Sequence, residues 1–576
     1  MEWKTTGTPK QLEIENSLVT KASQIARHMN NFFINKVRNI RSNLTRSAEN
    51  LTICENIMDG KACSLSLNHV TVEKVKKLLK ELKESKCTSI DELDNYAVKL
   101  GAEHLAAPLH HIITLSLMQN RFPSGWKYMK VIPLHKKLSQ LDPKNYRPVT
   151  ILSPLSKILE KVVYQQIYDY FSLNKLFHPN LHGYRKNRST QTALLQLYDK
   201  WVKAAANGQV SGAVLIDLSA AFDLVDHELL VKKLKIYGFD ESFLTWIESY
   251  LSDRHQAVWI DHVYSDFVSN SIGVPQGSNL GPLFFLIFYS DLLFLLDCDA
   301  VYADDSTLSE TGASVREIGE KLSSNCEKVV GWMASNKLKL NADKTHLLKV
   351  GTKQRIQLTE DLKVDMDEVA LTESKEKCEL LLGVQIQSDL KWHVQVKELV
   401  GKLRKRLAGL RKLKYLVPYP IRKMICQGIF NSVLVYCLPL FGGCNVGELK
   451  NLQTLQNEAA RIVTHSGRST SRITLFNQLG WMTVNQLIAY HTLLNVFKIR
   501  KCAEPEYLAR ILQNDNITGK INIPNPKLTL VKNSFCYRGA VDWNLLPESV
   551  RRSAKIGEFK RGARKWVFET IPRFPD

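Results

Sequence analysis

The chain has 576 residues, 44% hydrophobic and 23% charged. That is an ordinary globular balance, which excludes a wholly disordered or fibrous protein and leaves room for about two to four domains. Lys and Arg total 78 against 57 Asp and Glu, a formal net charge of +21. A surface this basic attracts polyanions: nucleic acid first, an acidic membrane surface second.

The first residues, MEWKTTGTPKQLEIEN, hold no apolar stretch of the kind a secretory signal needs. The eleven cysteines are odd in number, form no CxxC pair and show no zinc-site spacing with histidine. Reduced thiols in an intracellular protein are the expectation. Residues 1–84 are polar with a helical pattern and a basic segment at Lys36, Arg38, Arg41 and Arg46. The run 72–86 (VEKVKKLLKELKESK) places apolar residues at helical spacing beside a lysine-rich face. A second helix is expected over 98–120, ending near Pro123. Residues 129–155 are punctuated by Pro133, Pro143, Pro148 and Pro154 and read as strand alternating with turn, followed by a helix over 156–172.

Val214 to Leu218 (VLIDL) is an almost wholly apolar run carrying one acid, the pattern of a buried strand. Asp226 is placed to cap a helix from His227 to about Tyr237. Further helices are expected around Gly281–Leu296 and 314–335. The apolar run from Pro282 to Leu296 is broken by Ser290 and Asp291 and is too short to cross a bilayer. No internal repeat or low-complexity tract is visible. Helices alternating with short strands imply an α+β fold with helices on one side of a sheet.

The chemistry is concentrated in Tyr302-Ala303-Asp304-Asp305. Two adjacent carboxylates at the expected tip of a hairpin repel each other unless a cation neutralises them, and hard divalent cations such as Mg²⁺ prefer such oxygens. Asp-Asp alone is also an ordinary acidic turn. Asp217 supplies a partner: at the end of a buried strand an unpaired carboxylate pays heavily for desolvation, so it is a capping group, a salt-bridge partner or a metal ligand. Carboxylates holding two cations ~3.5–4 Å apart can activate a hydroxyl nucleophile and neutralise a departing pyrophosphate.

Three segments, SGAVLIDLSAAFDLVDH (211–227), GVPQGSNLGPLFFLIF (273–288) and VYADDSTL (301–308), resemble the A, B and C motifs of reverse transcriptases. AFDLVDH, with VIPLHKKLSQLDPKNYRPVTILSPLSKILEKVV (131–163) and HGYRKNRST (182–190), resembles the non-LTR, LINE-like retrotransposons of the jockey-like kind. The likeness runs from about residue 85 to 480 and continues more weakly through NSFCYRGAVDWNLLP (533–547).

The resemblance implies roles for individual residues. Asp217, Asp304 and Asp305 would hold two Mg²⁺ ions, with Mn²⁺ as a substitute and the Leu218 carbonyl as a further ligand. Phe222 would be an aromatic gate against a ribose 2′-hydroxyl, or simply a core aromatic. Gln276 would lie along the incoming nucleotide, with Gly277 allowing close backbone approach. Lys136, Lys137 and Arg147 would grip the triphosphate, the plain alternative for each lysine being a solvated side chain. Arg185, Lys186 and Arg188 would contact template or primer phosphates, and Lys344 in LNADKT would protonate pyrophosphate. LLGVQI (381–386) resembles the hairpin that holds a primer end. Beyond it, Val396, Val400, Leu403, Leu407, Leu410 and Leu413 form one apolar stripe, with Lys402, Arg404 and Lys405 among the cations on the remaining surface. Those cations either follow a duplex backbone or are the solvated face of the helix.

The fold so implied is a right-hand polymerase: a helical extension at 1–84, fingers and palm at 114–387 with the fingers starting as early as 85, a helical thumb at 393–480, and a basic tail region at 481–576. Its partners would be an RNA template, a DNA primer and dNTPs, with no membrane and an unknown oligomeric state, acting inside the cell in the nucleus. SKCTSIDELD (85–94) has Ser89 and Glu92 where the family carries glycines, which puts a finger-loop contact in doubt. Nothing before residue 85 resembles the endonuclease of such elements, so nicking is expected from a separate source. A remnant that binds nucleic acid without polymerising is the competing reading, and Phe222 speaks against an RNA-synthesising enzyme.

Overall fold

The computed structural model describes residues 8–44, 47–136, 138–296, 300–366, 369–513, 519–523 and 525–572. Arg46, Lys137 and Cys298 lie outside them. The chain divides into two compact units: Met1–His178, Asp217–Asp297 and Lys328–Asn341 form one, and Pro179–Ile216, Cys298–Glu327 and Ala342–Asp576 the other.

In the first unit the proline-punctuated segment folds as a hairpin, Tyr128–His135 against Tyr146–Ile151. The first of these strands also pairs in parallel with Arg254–Ile260, but only from Tyr128 to Val131. Pro133 sits beyond that parallel ladder, where its missing N–H costs nothing on that side. Val263–Tyr264 and Val268–Asn270 complete a five-stranded sheet.

Helix Ala22–Ser42 covers this sheet because Ile25, Ala26, Met29 and Phe33 recur on one face and bury against Val131, Tyr146, Val258 and Ile260. Asn30 on the same face is buried without penalty. Its amide donates to Ser265 Oγ at 3.1 Å and to the Asp266 carbonyl at 3.0 Å, and its Oδ1 accepts from Gln256 at 3.0 Å.

The expected helices form at Val72–Lys80, Ala102–Met118, Pro154–Leu173, His227–Ile236 and Leu280–Leu296. Asp226 caps its helix by accepting from Leu229 N at 2.9 Å. Helix Leu280–Leu296 is apolar all round because it is buried all round through Leu293. Its Asp291 meets Lys233 Nζ at 2.8 Å, the two side chains being 1% and 0% exposed. Among the described residues no helix is long and apolar enough to cross a membrane.

The second unit is built on a four-stranded antiparallel sheet in the order His346–Val350, Val210–Ile216, Asp305–Gly312, Ala300–Tyr302. Every residue of Val210–Ile216 is buried. Two further antiparallel pairs follow, Lys363–Met366 with Val369–Thr372 and Cys378–Leu381 with Val384–Gln387. The second is the expected LLGVQI hairpin, turning through Leu382 and Gly383 at positive φ (47° and 81°), as a two-residue hairpin loop requires.

Helix His393–Leu413 buries Val396, Leu399, Leu403, Leu407 and Leu410, while Lys402, Arg404 and Lys405 are exposed. Helices of the 481–576 segment, among them Val484–Cys502, Phe535–Leu545 and Ile556–Thr570, contribute Leu493, Trp543 and Phe559 to the same core.

Candidate active site

In the second unit the two central strands are in fixed register, Ser306 opposite Ile216 and Leu308 opposite Val214. Tyr302 pairs with Asp305, so Ala303 and Asp304 form the connection between the strands. Ala303 takes φ +59°, the left-handed geometry of a tight hairpin. Asp304 is half-buried, Asp305 exposed.

This turn is braced from behind by HGYRKNRST. Leu181 bridges Val301 in parallel, His182 N donates to the Val301 carbonyl at 2.7 Å, and a Cβ on Gly183 would stand 2.3 Å from Ala303 N. Only a glycine permits that approach. His182 is buried, with Nδ1 and Thr192 Oγ1 3.0 Å apart. Burial, then the cations Arg188 and Arg185, depress its pKa to about 3 despite an opposing bond from Gln196, so the ring is neutral.

The basic residues of this motif divide. Arg185 and Arg188 both bond to Glu504, at 3.3 and 3.2 Å, with side chains 9% and 3% exposed, while Lys186 is exposed. Lys344 lies in the turn Ala342–Lys344 and is exposed.

The first unit holds the other group. Asp217 is tied to the LNADKT segment: its Oδ2 accepts from Asn341 Nδ2 at 2.8 Å and its carbonyl from Asn341 N at 2.9 Å. Leu218 bridges Leu340, and Ser219 N donates to the Lys339 carbonyl at 2.9 Å. Phe222 stacks on Phe285 with centroids 4.4 Å apart.

Gln276 and Gly277 lie along strand Tyr146–Ile151. Thr150 N donates to the Gln276 carbonyl at 2.8 Å, and Gly277 takes φ +125° where a Cβ would meet the Thr150 carbonyl at 2.3 Å. The Gln276 amide donates to Asp223 Oδ1 at 2.7 Å.

Asp223, in AFDLVDH, emerges as the centre of this group. Enclosure by protein raises its pKa, opposed by the Gln276 bond and by the charges of Lys36, Lys136 and Arg147. One amide thus bonds this carboxylate, and the charges of three cations act on it. Lys36 comes from the N-terminal helix, as does Arg41, which bonds Asp226. Burial works to raise the Asp226 pKa, but the Leu229 amide, Arg41 and Lys337 outweigh it and the net shift is downward.

Asp223, Asn341, His182 and Gly183 were not singled out from the sequence. Their signal was position alone: each sits inside a quoted motif, next to or a few residues from a residue that was.

For a divalent cation the donors at the hairpin are suitable hard oxygens. Among the described residues no group of three or more His, Cys, Asp or Glu is gathered to hold a metal ion.

Residues 134–416 match the family described as reverse transcriptase (RNA-dependent DNA polymerase). The chain is 27% identical over 448 residues to a probable RNA-directed DNA polymerase from transposon BS of Drosophila melanogaster, across 74% of this chain and 48% of that relative. To the RNA-directed DNA polymerase from mobile element jockey of the same species it is 28% identical over 291 residues, 49% of this chain and 32% of that one. To the retrovirus-related Pol polyprotein from type-1 retrotransposable element R2 of Popillia japonica it is 26% identical over 185 residues, 32% of this chain and 25% of that one. The chain spans about half the length of the first of these relatives and less of the others.

Proposed function

We propose, from the premise that residues 134–416 are a reverse transcriptase domain related to those of jockey-type non-LTR retrotransposons, that this protein extends a DNA primer on an RNA template with dNTPs. The observation that carries the proposal is the register of the central strands. Ser306, just past the acidic pair, lies opposite Ile216, and Asp217 is the next residue of the chain.

On this reading Asp217, Asp304, Asp305 and the Leu218 carbonyl would hold two Mg²⁺ ions. When bound, these supply activation of the primer hydroxyl and neutralisation of the departing pyrophosphate. The chain's own residues do the positioning. Arg147, Lys136 and Lys137 bind the triphosphate, Gln276 is aimed by Asp223 along the nucleotide, and Gly277 lets the nucleotide approach the backbone. Phe222, backed by Phe285, bars a 2′-hydroxyl. Lys344 donates the proton to pyrophosphate. Lys186, Lys402, Arg404 and Lys405 take template–primer phosphates, whereas Arg185 and Arg188, held by Glu504, serve by shaping the loop.

The architecture we assign is fingers and palm at 114–387, thumb at 393–480, and flanking helical regions, working on chromosomal DNA in the nucleus with an endonuclease in this or another chain. Primer extension on poly(rA)/oligo(dT) with Mg²⁺ tests it. Wild-type protein should incorporate dTTP and refuse UTP, Phe222→Val should admit UTP, and Asp304→Ala should abolish synthesis while duplex affinity persists. Undiminished synthesis by Asp304→Ala would falsify the metal assignment, and no synthesis by the wild type would favour a binding-only remnant.

A further inference from the structure

The helices beyond residue 480 border an open hollow of about 860 Å³ whose wall carries Arg500, Lys501, Arg510 and Arg551, with Glu506 its one carboxylate. It lies outside the matched span 134–416, and none of the roles above employs its wall residues. Cations on helices are ordinarily a solvated face. Here they come from three separate elements, Val484–Cys502, Glu506–Ile511 and Glu548–Arg551, and line one concavity.

Arg500 is also held against its own electrostatics. Its guanidinium lies 4.2 Å over the Trp543 ring and donates to the Gly519 carbonyl at 3.5 Å. Burial, and then the neighbouring Arg551 cation, pull its pKa down to about 10. Like charges gathered where water is partly excluded cost free energy that a bound anion offsets. The wall supplies one acid for four cations, and that acid is bonded to Arg510.

The guanidinium fork fits phosphate oxygens two at a time. A hollow of about 860 Å³ is far larger than one phosphate, and its two lining aromatics offer little open face to a base: Phe497 and Trp543 are 5% and 2% exposed, and Arg500 covers the Trp543 ring. We infer that this hollow grips the phosphodiester backbone of a single nucleic-acid strand, through Arg500, Arg510 and Arg551, without reading its bases. The inference goes beyond the polymerase reading, since binding here needs no synthesis.

Fluorescence anisotropy of labelled oligo(U) and oligo(dT) with the full chain, across a salt series, tests it. Arg500→Gln/Arg510→Gln should weaken both strands alike, by about tenfold, and lower the slope of log Kd against log salt by about 1.4, or about 0.7 per cation removed. Lys321→Gln/Lys328→Gln, exposed on helix Val315–Ser335, removes the same charge elsewhere and should do distinctly less.

The inference fails if the arginine variant binds like the wild type or no worse than this charge-matched control. It fails too if only competition by inorganic pyrophosphate changes, which would make the hollow a small-anion site. Loss confined to one oligonucleotide would overturn the claim that bases are not read. Should the arginine pair prove necessary for folding, Lys501→Gln/Arg510→Gln, both exposed, carries the same comparison.

Discussion

Replacing Gly183 by alanine should cripple the candidate centre without touching any acid in it. A Cβ there would lie 2.3 Å from Ala303 N and 3.1 Å from both Ala303 Cα and the Tyr302 carbonyl carbon, all backbone atoms. Ordinary contact begins near 3.4 Å, so one of the two backbones must retreat by about 1 Å. Neither is free to do so cheaply. His182 N is bonded to the Val301 carbonyl at 2.7 Å and Val301 N to the Asn180 carbonyl at 3.1 Å. Overpacking of this kind costs about 1–3 kcal/mol. If the displaced segment is Ala303-Asp304, a shift near 1 Å lowers turnover by about 10²-fold.

The measurement is kcat on poly(rA)/oligo(dT) per folded molecule, beside Tm. Gly331→Ala, with no atom near the added methyl, serves as a control that should stabilise its helix by up to about 1 kcal/mol. A Gly183→Ala protein that keeps full kcat refutes the link to Asp304, whatever its Tm. One that also keeps its Tm refutes the packing argument itself.

Three other perturbations bear on the two units separately. The His182 ring has its pKa depressed to about 3, so as pH falls below about 6.5 the unfolded chain takes up a proton that the folded chain refuses. Stability is lost on acidification, by about 1.4 kcal/mol at pH 5.5 from this ring alone, and urea unfolding of His182→Asn at high and low pH should lack that increment. Lys233→Met strands the buried Asp291 carboxylate and should cost about 3–5 kcal/mol in chemical denaturation, while Lys233→Met/Asp291→Leu recovers most of it. Equal stability of the single and double variants would sink that account. Asp223→Ala frees the Gln276 amide from its 2.7 Å acceptor and should lower kcat/KM for dNTP by about 10- to 100-fold, the worth of a charged hydrogen bond. Asp223→Asn, which keeps an acceptor oxygen, should restore most of this; failure to rescue would show that the charge and not the aim of Gln276 matters.

What the sequence could reveal of the fold followed the range of the forces involved. Helices with a one-sided apolar pattern were legible, but their ends were not: the 72–86 helix stops at Lys80, where Leu82 is the last apolar residue before a polar run. The 98–120 helix is interrupted at Gly101. The strand expected at Val214 begins at Val210. Its first residues, Val-Ser-Gly-Ala, look like a loop because Gly212 is demanded by crowding: a Cβ there would come within 3 Å of Leu362, Ile318 and Leu322. That crowding is set by residues far away in the chain. The hairpin Leu12–Ile14 with Ser17–Val19 is too short to show any alternation.

The same division runs through the candidate centre. Asp217, Asp304 and Asp305 could be named as candidates because their motifs are contiguous and carboxylate chemistry is intrinsic to the side chain, and Gln276 only because its segment resembles a reverse-transcriptase motif. Asp223, Asn341 and Gly183 could not, because nothing in an aspartate, an asparagine or a glycine announces a role that arises only from a partner elsewhere. Asp223 acquires its meaning from Gln276 and from Lys36 on a helix nearly two hundred residues upstream, and Asn341 from Asp217. Arg185 and Arg188 show the converse. Their charge invites a phosphate, yet Glu504, remote in the chain, has claimed both guanidiniums. A basic motif thus reports how much positive charge is present, and only the fold decides whether that charge faces a ligand or an internal carboxylate. The exposed Lys186 and the two arginines should therefore differ in their response to salt: screening should weaken any phosphate contact made by Lys186 and affect the Glu504 pairs, whose guanidinium side is nearly buried, much less.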